Sequence, residues 1–188
     1  TLPIPCVAPV TTAYGILKNI SWCKTIYLDL RKSTASMNNK VKVVMNWSSG
    51  KDAALAFHTL LHQAHYEVTH LLTTISMEQD RVFMHGMSEE LLKIQAARMN
   101  APLLKVKLPA SPDDALYKQA MSQALSGLSA SGVHTAAFGD IFLADLRAYR
   151  EQQLTAVGFT GLFPLWNSNT RELVHQVEQA GIEAIIVC

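Results

Sequence analysis

VKVVMNWSSGKDAAL, residues Val41 to Leu55, decides the fold of this chain. The apolar run Val41, Val43, Val44 and Met45 ends in Asn46-Trp47. A tight polar turn follows, Ser48-Ser49-Gly50-Lys51-Asp52. Apolar residues then recur at helical spacing: Ala54, Leu55, Phe57, Leu60, Leu61, Ala64. The order is strand, phosphate-sized loop, helix. Backbone N–H groups at the start of a helix lack intrahelical acceptors, and the helix dipole is positive there, so such a turn attracts an anion. Gly50 permits backbone angles that a side chain forbids. Ser48 and Ser49 add hydroxyls, and Lys51 adds a positive charge. Read alone, an ordinary Ser/Gly cap is the alternative reading of the turn. It lacks the GxxxxGK[ST] of a Walker loop and the GxGxxG of a dinucleotide fingerprint.

Outward from this unit, strands and helices alternate. Strands are predicted over 68–75, 102–108, 133–138, 159–163 and 182–188, each apolar or β-branched. Helices are predicted over 88–99, from Ser111 to about Leu128, over 145–157, and from Asn169 or Thr170 to Ala180. Ser111 is the expected cap of the second of these, with Pro112 at its first position. Gly132, Gly158 and Gly181 are expected to punctuate the later units. Short connections between alternating elements predict an α/β fold with a doubly wound parallel sheet in three layers, α/β/α. Residues 37–188 form that domain. Residues 1–36, with three early prolines and no clear period, read as an extra segment without assigned role, and Met37 reads as the natural start. The apolar run ending at Cys188 suggests a longer natural protein.

The 188 residues, 49% hydrophobic, suffice for one sizeable core. The net charge is +1, which gives no general attraction to nucleic acid or anionic membrane. Residues 1–40 carry net +4, and the remainder, with eleven basic and fourteen acidic groups, carries −3. No apolar run approaches the ~20 residues of a membrane span. Cys6, Cys23 and Cys188 form no CxxC and no disulfide framework, which points to a reducing, cytoplasmic setting. Neither nucleic acid nor membrane is an expected partner. The oligomeric state stays open, a homo-oligomer included.

In doubly wound sheets, ligands sit at the C-terminal ends of the strands, where strand order reverses. Besides the Ser48–Asp52 loop, two strand ends carry unusual residues there: Gly139-Asp140-Ile141 and Phe163-Pro164-Leu165-Trp166. Asp140 suits a metal or base position, and equally a helix cap. Arg147, Arg150 and Glu151 share a polar helical stripe, on which Arg147 and Glu151 could form a surface ion pair. His58, His62 and His65 recur at i, i+4, i+7 without an acidic partner and read as a solvated face. Trp47 reads as core.

The Ser48–Asp52 turn resembles the SGGxD[ST] pyrophosphate loop of the PP-loop ATP pyrophosphatases. Ser49 stands in place of the second glycine and Ala53 in place of the final hydroxyl residue. The wider set resembles the diphthine–ammonia ligase family, and its bacterial-type members most. That set is WSSGKD, Met84-His85-Gly86, Gln95-Ala96, Gly139-Asp140-Ile141, Asp145-Leu146-Arg147, Tyr149-Arg150-Glu151 and Phe163-Pro164-Leu165-Trp166, in the family's order.

The resemblance implies an adenine nucleotide α-hydrolase-like (HUP/Rossmann-like) fold with ATP and Mg2+. It implies adenylation of a small-molecule or protein-borne carboxylate with release of pyrophosphate, then attack by ammonia. Ser48, Ser49, Gly50, Lys51 and Asp52 would hold the outer phosphates, with Gly139 and Trp166 alongside the nucleotide. Asp52 and Asp140 would hold the metal. Asp140, Arg150, Glu151 and His85 would serve the chemistry. The family also carries a C-terminal acidic GENGEFHT-like motif that this sequence lacks, so the resemblance marks the chain as truncated. A different nucleophile, or ATP binding without turnover, are the alternative expectations.

Overall fold

The computed structural model describes residues 12–13, 40–83 and 86–187. In chain order the elements are β1 (Thr12–Ala13), β2 (Val41–Asn46), α1 (Lys51–Leu61), β3 (Tyr66–Ser76), β4 (Arg81–Val82), α2 (Glu89–Arg98), β5 (Leu103–Leu108), α3 (Asp114–Ser129), β6 (Thr135–Ala137), α4 (Ala144–Thr155), β7 (Thr160–Leu162), α5 (Thr170–Gln179) and β8 (Ile186–Val187). The reading of residues 1–36 as an extra segment lies, apart from β1, outside the described residues.

β2 pairs in parallel with β3 on one side and with β6 on the other. β5 extends the sheet beyond β3, and β7 extends it beyond β6, both in parallel. The parallel strands therefore lie in the order β5-β3-β2-β6-β7. The chain starts at the centre, moves outward through β3 and β5, then crosses back to β6 and β7. The reversal falls between β2 and β6. A short antiparallel strand, β4, pairs with the last residues of β3, Ile75 with Val82 and Ser76 with Arg81. Its brevity hid it from a reading based on apolar runs.

The two sheet faces carry separate cores. On one, Val43, Met45, Leu71 and Ile75 pack with Phe57 and Leu60 of α1, Leu92 and Ala96 of α2, and Leu173 of α5. On the other, Val44, Leu72 and Val106 pack with Leu125 and Leu128 of α3 and Leu154 of α4. Alternate residues of β2 thus serve opposite faces, as the two-residue strand period requires. Both faces being covered explains why Val43, Val44 and Met45 are consecutively apolar and buried. Leu60 is 1% exposed, and its truncation to alanine would cost about 2–5 kcal/mol. The three-layer doubly wound α/β expectation matches this architecture.

Two local expectations need correction. The cap of α3 is Asp113, not Ser111: Leu116 N–H donates to Asp113 Oδ1 at 2.7 Å. A carboxylate there makes a charge-assisted bond that a hydroxyl cannot, and Pro112 then precedes the cap. The strand predicted over 182–188 shrinks to Ile186–Val187 and lies outside the main sheet, pairing antiparallel with β1. Its first residue, Ile182, is used otherwise. Ile182 N–H donates to Val177 O at 3.0 Å, and its side chain packs on the α5 face of the core. No described helix is long and apolar enough to cross a membrane.

Candidate functional site

The loop after β2 begins inside the core. Trp47 is 5% exposed; its backbone N–H donates to Leu72 O at 2.7 Å, and its indole N–H donates to Gln95 Oε1 at 3.1 Å. The buried bond from β2 to α2 fixes where the polar turn starts. At Ser49 the backbone turns left-handed, with φ +64°. That is the region glycine enters freely and other residues enter at a cost. It explains why a glycine would be at home at this position of such a loop. Ser49 is 3% exposed, and its hydroxyl has no hydrogen-bond partner among the described residues.

Gly50 then opens α1 with extended angles and without any side-chain cap. Its own N–H donates to Ser48 Oγ at 3.3 Å. The helix start thus offers amides with no side-chain acceptor, where the dipole is positive. Lys51 and Asp52 stand on the first turn and pair with each other, Lys51 Nζ lying 2.9 and 3.0 Å from the two carboxylate oxygens of Asp52.

The end of β6 closes on this turn. A Cβ at Gly139 would lie 2.7 Å from the carbonyl carbon of Asp52 and 2.8 Å from Ala53 N. Only a residue without a side chain lets the strand end approach the helix start so closely. Asn46 ties the end of β2 to the end of β6, its Nδ2 donating to Ala137 O at 3.3 Å. Asn46 was not singled out in the sequence, although its place at the end of the apolar run marks the strand's exit.

Asp140 follows at once and meets Arg150 of α4, Nε to Oδ2 at 2.8 Å. The atoms are close but off the angle of a hydrogen bond, so both keep an unused, buried bonding capacity. The Arg150 guanidinium also lies 4.4 Å from the ring centre of Phe138, a cation–π contact. Asp140 is not the cap of α4: that position belongs to Leu143, which makes no side-chain cap bond.

The polar stripe on α4 separates into two arrangements. Arg147 Nε donates to Glu151 Oε1 at 2.8 Å, and the Arg147 guanidinium covers the rings of Phe163 and Trp166 at 4.7 and 4.6 Å. Arg150 alone turns to Asp140. Glu151 is therefore occupied with Arg147, and the face of Trp166 carries a guanidinium. Asn167 N–H donates to Ile141 O at 2.8 Å, which joins the Trp166 turn to the Gly139–Ile141 segment. The structure thus brings Ser48–Asp52, Gly139, Asp140 and Arg150 to one strand edge, at the reversal between β2 and β6. His85, with Met84, lies outside the described residues. The rings of His58 and His62 lie 4.2 Å apart, tilted by 44°, at the C-terminal end of α1. No cluster of three or more metal-ligating side chains occurs among the described residues.

The residues present fit a magnesium nucleotide. Uncapped amides and a buried, unpartnered Ser49 hydroxyl suit phosphate oxygens. Asp52 and Asp140, each paired here with a cation, would be the one or two carboxylates that magnesium takes beside phosphates. A cavity of about 350 Å³ opens not over the loop but next to it, between α3 and α4, with Phe138 and Arg150 in its lining.

Strand order and loop together define a doubly wound α/β domain of the nucleotide-binding kind, with its anion-attracting turn at the switch point. The family model described as Diphthamide synthase N-terminal domain matches residues 41–160, and the chain belongs to that family. No curated protein matches. Among solved structures, the chain is similar to the U34-tRNA thiolase NcsA from Methanococcus maripaludis with its 4Fe–4S cluster, at 14% identity and a TM-score of 0.46. That match covers 86% of this chain and 65% of the thiolase chain.

Proposed function

We propose that this domain binds Mg·ATP and transfers the adenylyl group to a carboxylate, which ammonia then converts to an amide. The observation that carries the reading is the contact at Gly139, which presses the end of β6 against the backbone of Asp52 and Ala53. It sets the uncapped start of α1 beside Asp140 and Arg150. Membership of the diphthamide synthase N-terminal domain family supports the same chemistry.

In this reading the amides of Gly50 to Asp52 and the hydroxyls of Ser48 and Ser49 hold the outer phosphates. Lys51 leaves Asp52 and turns to them. Asp52 and Asp140 would hold magnesium, which when bound would neutralise phosphate charge. A carboxylate oxygen of the acceptor attacks the α-phosphorus while the α–β bridging bond breaks, and pyrophosphate leaves with those electrons. Arg150 is placed to stabilise the charge that develops. Ammonia then attacks the acyl carbon, loses a proton, and AMP departs.

The test is product analysis with α-labelled Mg·ATP, a panel of carboxylates and ammonium. AMP and pyrophosphate that depend on ammonium support the reading, and ADP overturns it. AMP independent of ammonium indicates another nucleophile. The Lys51–Asp52 pair and the absent hydroxyl at Ala53 favour, as a second reading, nucleotide binding without turnover. That reading expects Mg·ATP to bind and to remain intact.

A further inference from the structure

The cleft between α3 and α4 is separate from the phosphate loop, and no role has been assigned to it. Its volume, about 350 Å³, lies at the small end of ligand cavities. Met121 and Leu125 of α3, Leu154 of α4, Val157 and Phe138 make it largely apolar. Two phenols, Tyr117 and Tyr149, stand on facing helices. The charged groups in its lining are Lys118 and Arg150, and no carboxylate lies among the described residues that line it.

Both cations are ion-paired, in different geometries. Lys118 Nζ is 2.6 Å from Asp114 Oδ2, and Asp114 Oδ1 accepts from Tyr149 Oη at 2.8 Å. That network engages Lys118 and the Tyr149 hydroxyl together through Asp114. Arg150 is different. Its contact to Asp140 is misaligned, and it lies at the seam between cleft and strand edge. Both phenols stay neutral across the ordinary pH range: burial pushes Tyr117 up, and burial with the bond to Asp114 pushes Tyr149 up to about 12. The cleft therefore presents an apolar body with Arg150, whose charge is shared with Asp140, at one end.

We propose that this cleft is the acceptor site: it takes the compact apolar body of a carboxylate and delivers the carboxyl group to Arg150. The inference rests on the adenylation reading above and adds to it the location and shape of the acceptor. A polar or polyanionic acceptor would leave the apolar lining without partners, and a neutral one would gain nothing from the guanidinium in the lining.

The probes are 4-phenylbutyrate, its neutral counterpart 4-phenylbutanol, and Mg·ATP, each titrated into the full chain and followed by amide chemical shifts. Two variants plug the cleft from opposite walls, Ser122→Phe on α3 and Gln153→Trp on α4, with folding checked by circular dichroism. Saturable phenylbutyrate binding that moves α3 and α4 amides is expected. The alcohol should bind at least tenfold more weakly. Each plugged variant should lose phenylbutyrate at least tenfold while keeping Mg·ATP. No saturable binding at millimolar phenylbutyrate overturns the proposal. Equal binding of the alcohol overturns it too, as do plugged variants that keep phenylbutyrate. Variants that lose Mg·ATP together with phenylbutyrate assign the cleft to the nucleotide instead. A wild-type chain that binds phenylbutyrate but not Mg·ATP upholds the cleft as a carboxylate site and defeats the nucleotide reading.

Discussion

Arg150 Nε stands 2.8 Å from Asp140 Oδ2, across the turn that joins β6 to α4. Their side chains are 26% and 18% exposed, so neither charge is fully hydrated. Removing one partner strands the other. Asp140→Asn and Arg150→Gln should each cost about 1–2 kcal/mol, discounted from a fully buried pair for the remaining solvent contact. Because they break the same contact, the double variant should cost less than the sum. Urea unfolding of the four proteins measures this, and strict additivity would mean that the pair is not coupled.

Gly139 has no room for a side chain, and the obstacle is backbone rather than a movable side chain. Gly139→Ala should destabilise the fold by about 1–3 kcal/mol through overpacking. It should also push the start of α1 away from the strand edge and weaken Mg·ATP binding. Gly127→Ala is the control. It lies inside α3 with nothing within 4 Å of its added carbon, and should stabilise by about 1 kcal/mol through helix propensity. Denaturation curves for both, with nucleotide titrations alongside, separate backbone crowding from a general effect of adding a methyl group.

At Ser49 stability and binding should move in opposite directions. The positive φ costs a serine roughly 1 kcal/mol, and its buried hydroxyl has no partner to offset desolvation. Ser49→Gly should therefore raise thermal stability. If the hydroxyl faces phosphate, the same change should lower Mg·ATP affinity several-fold. A rise in both would remove Ser49 from the binding set.

The alternation of elements was legible because the parallel strands are rich in apolar and β-branched residues and the helices carry apolar residues at helical spacing. Asn169 was readable as a cap because side-chain capping is local, and Arg171 N–H donates to its Oδ1 at 2.9 Å. What stayed hidden depends on distance in space. Nothing near Arg150 in sequence says that it, rather than Arg147, reaches Asp140. The helical period put both on one stripe, and tertiary packing divided them. The cleft was hidden for the same reason, since Tyr117 and Tyr149 come from helices separated by β6. Gly139 looked like a member of a motif, and its steric reason appeared only when the backbone of Asp52 was found against it.

Glu89 contributes to the acid sensitivity of the fold. Lys105 Nζ of β5 and Lys93 Nζ of α2 meet its Oε1 at 2.8 and 2.7 Å. The hydrogen bond from Lys105, then that from Lys93, hold the carboxyl well below its ordinary value of 4.5, at about 2. A depressed folded-state value means that the contribution to stability is complete above pH 4.5 and is lost as pH falls toward 2. The melting-temperature difference between wild type and Glu89→Gln should therefore be constant above about pH 5 and shrink between pH 4.5 and 2. The larger share belongs to Lys105, which joins α2 to the sheet edge. Lys105→Met should accordingly raise the Glu89 titration midpoint more than Lys93→Met does, as followed by carboxyl NMR. The reverse ranking would show that the helix surface pair, not the tie to β5, holds the proton off.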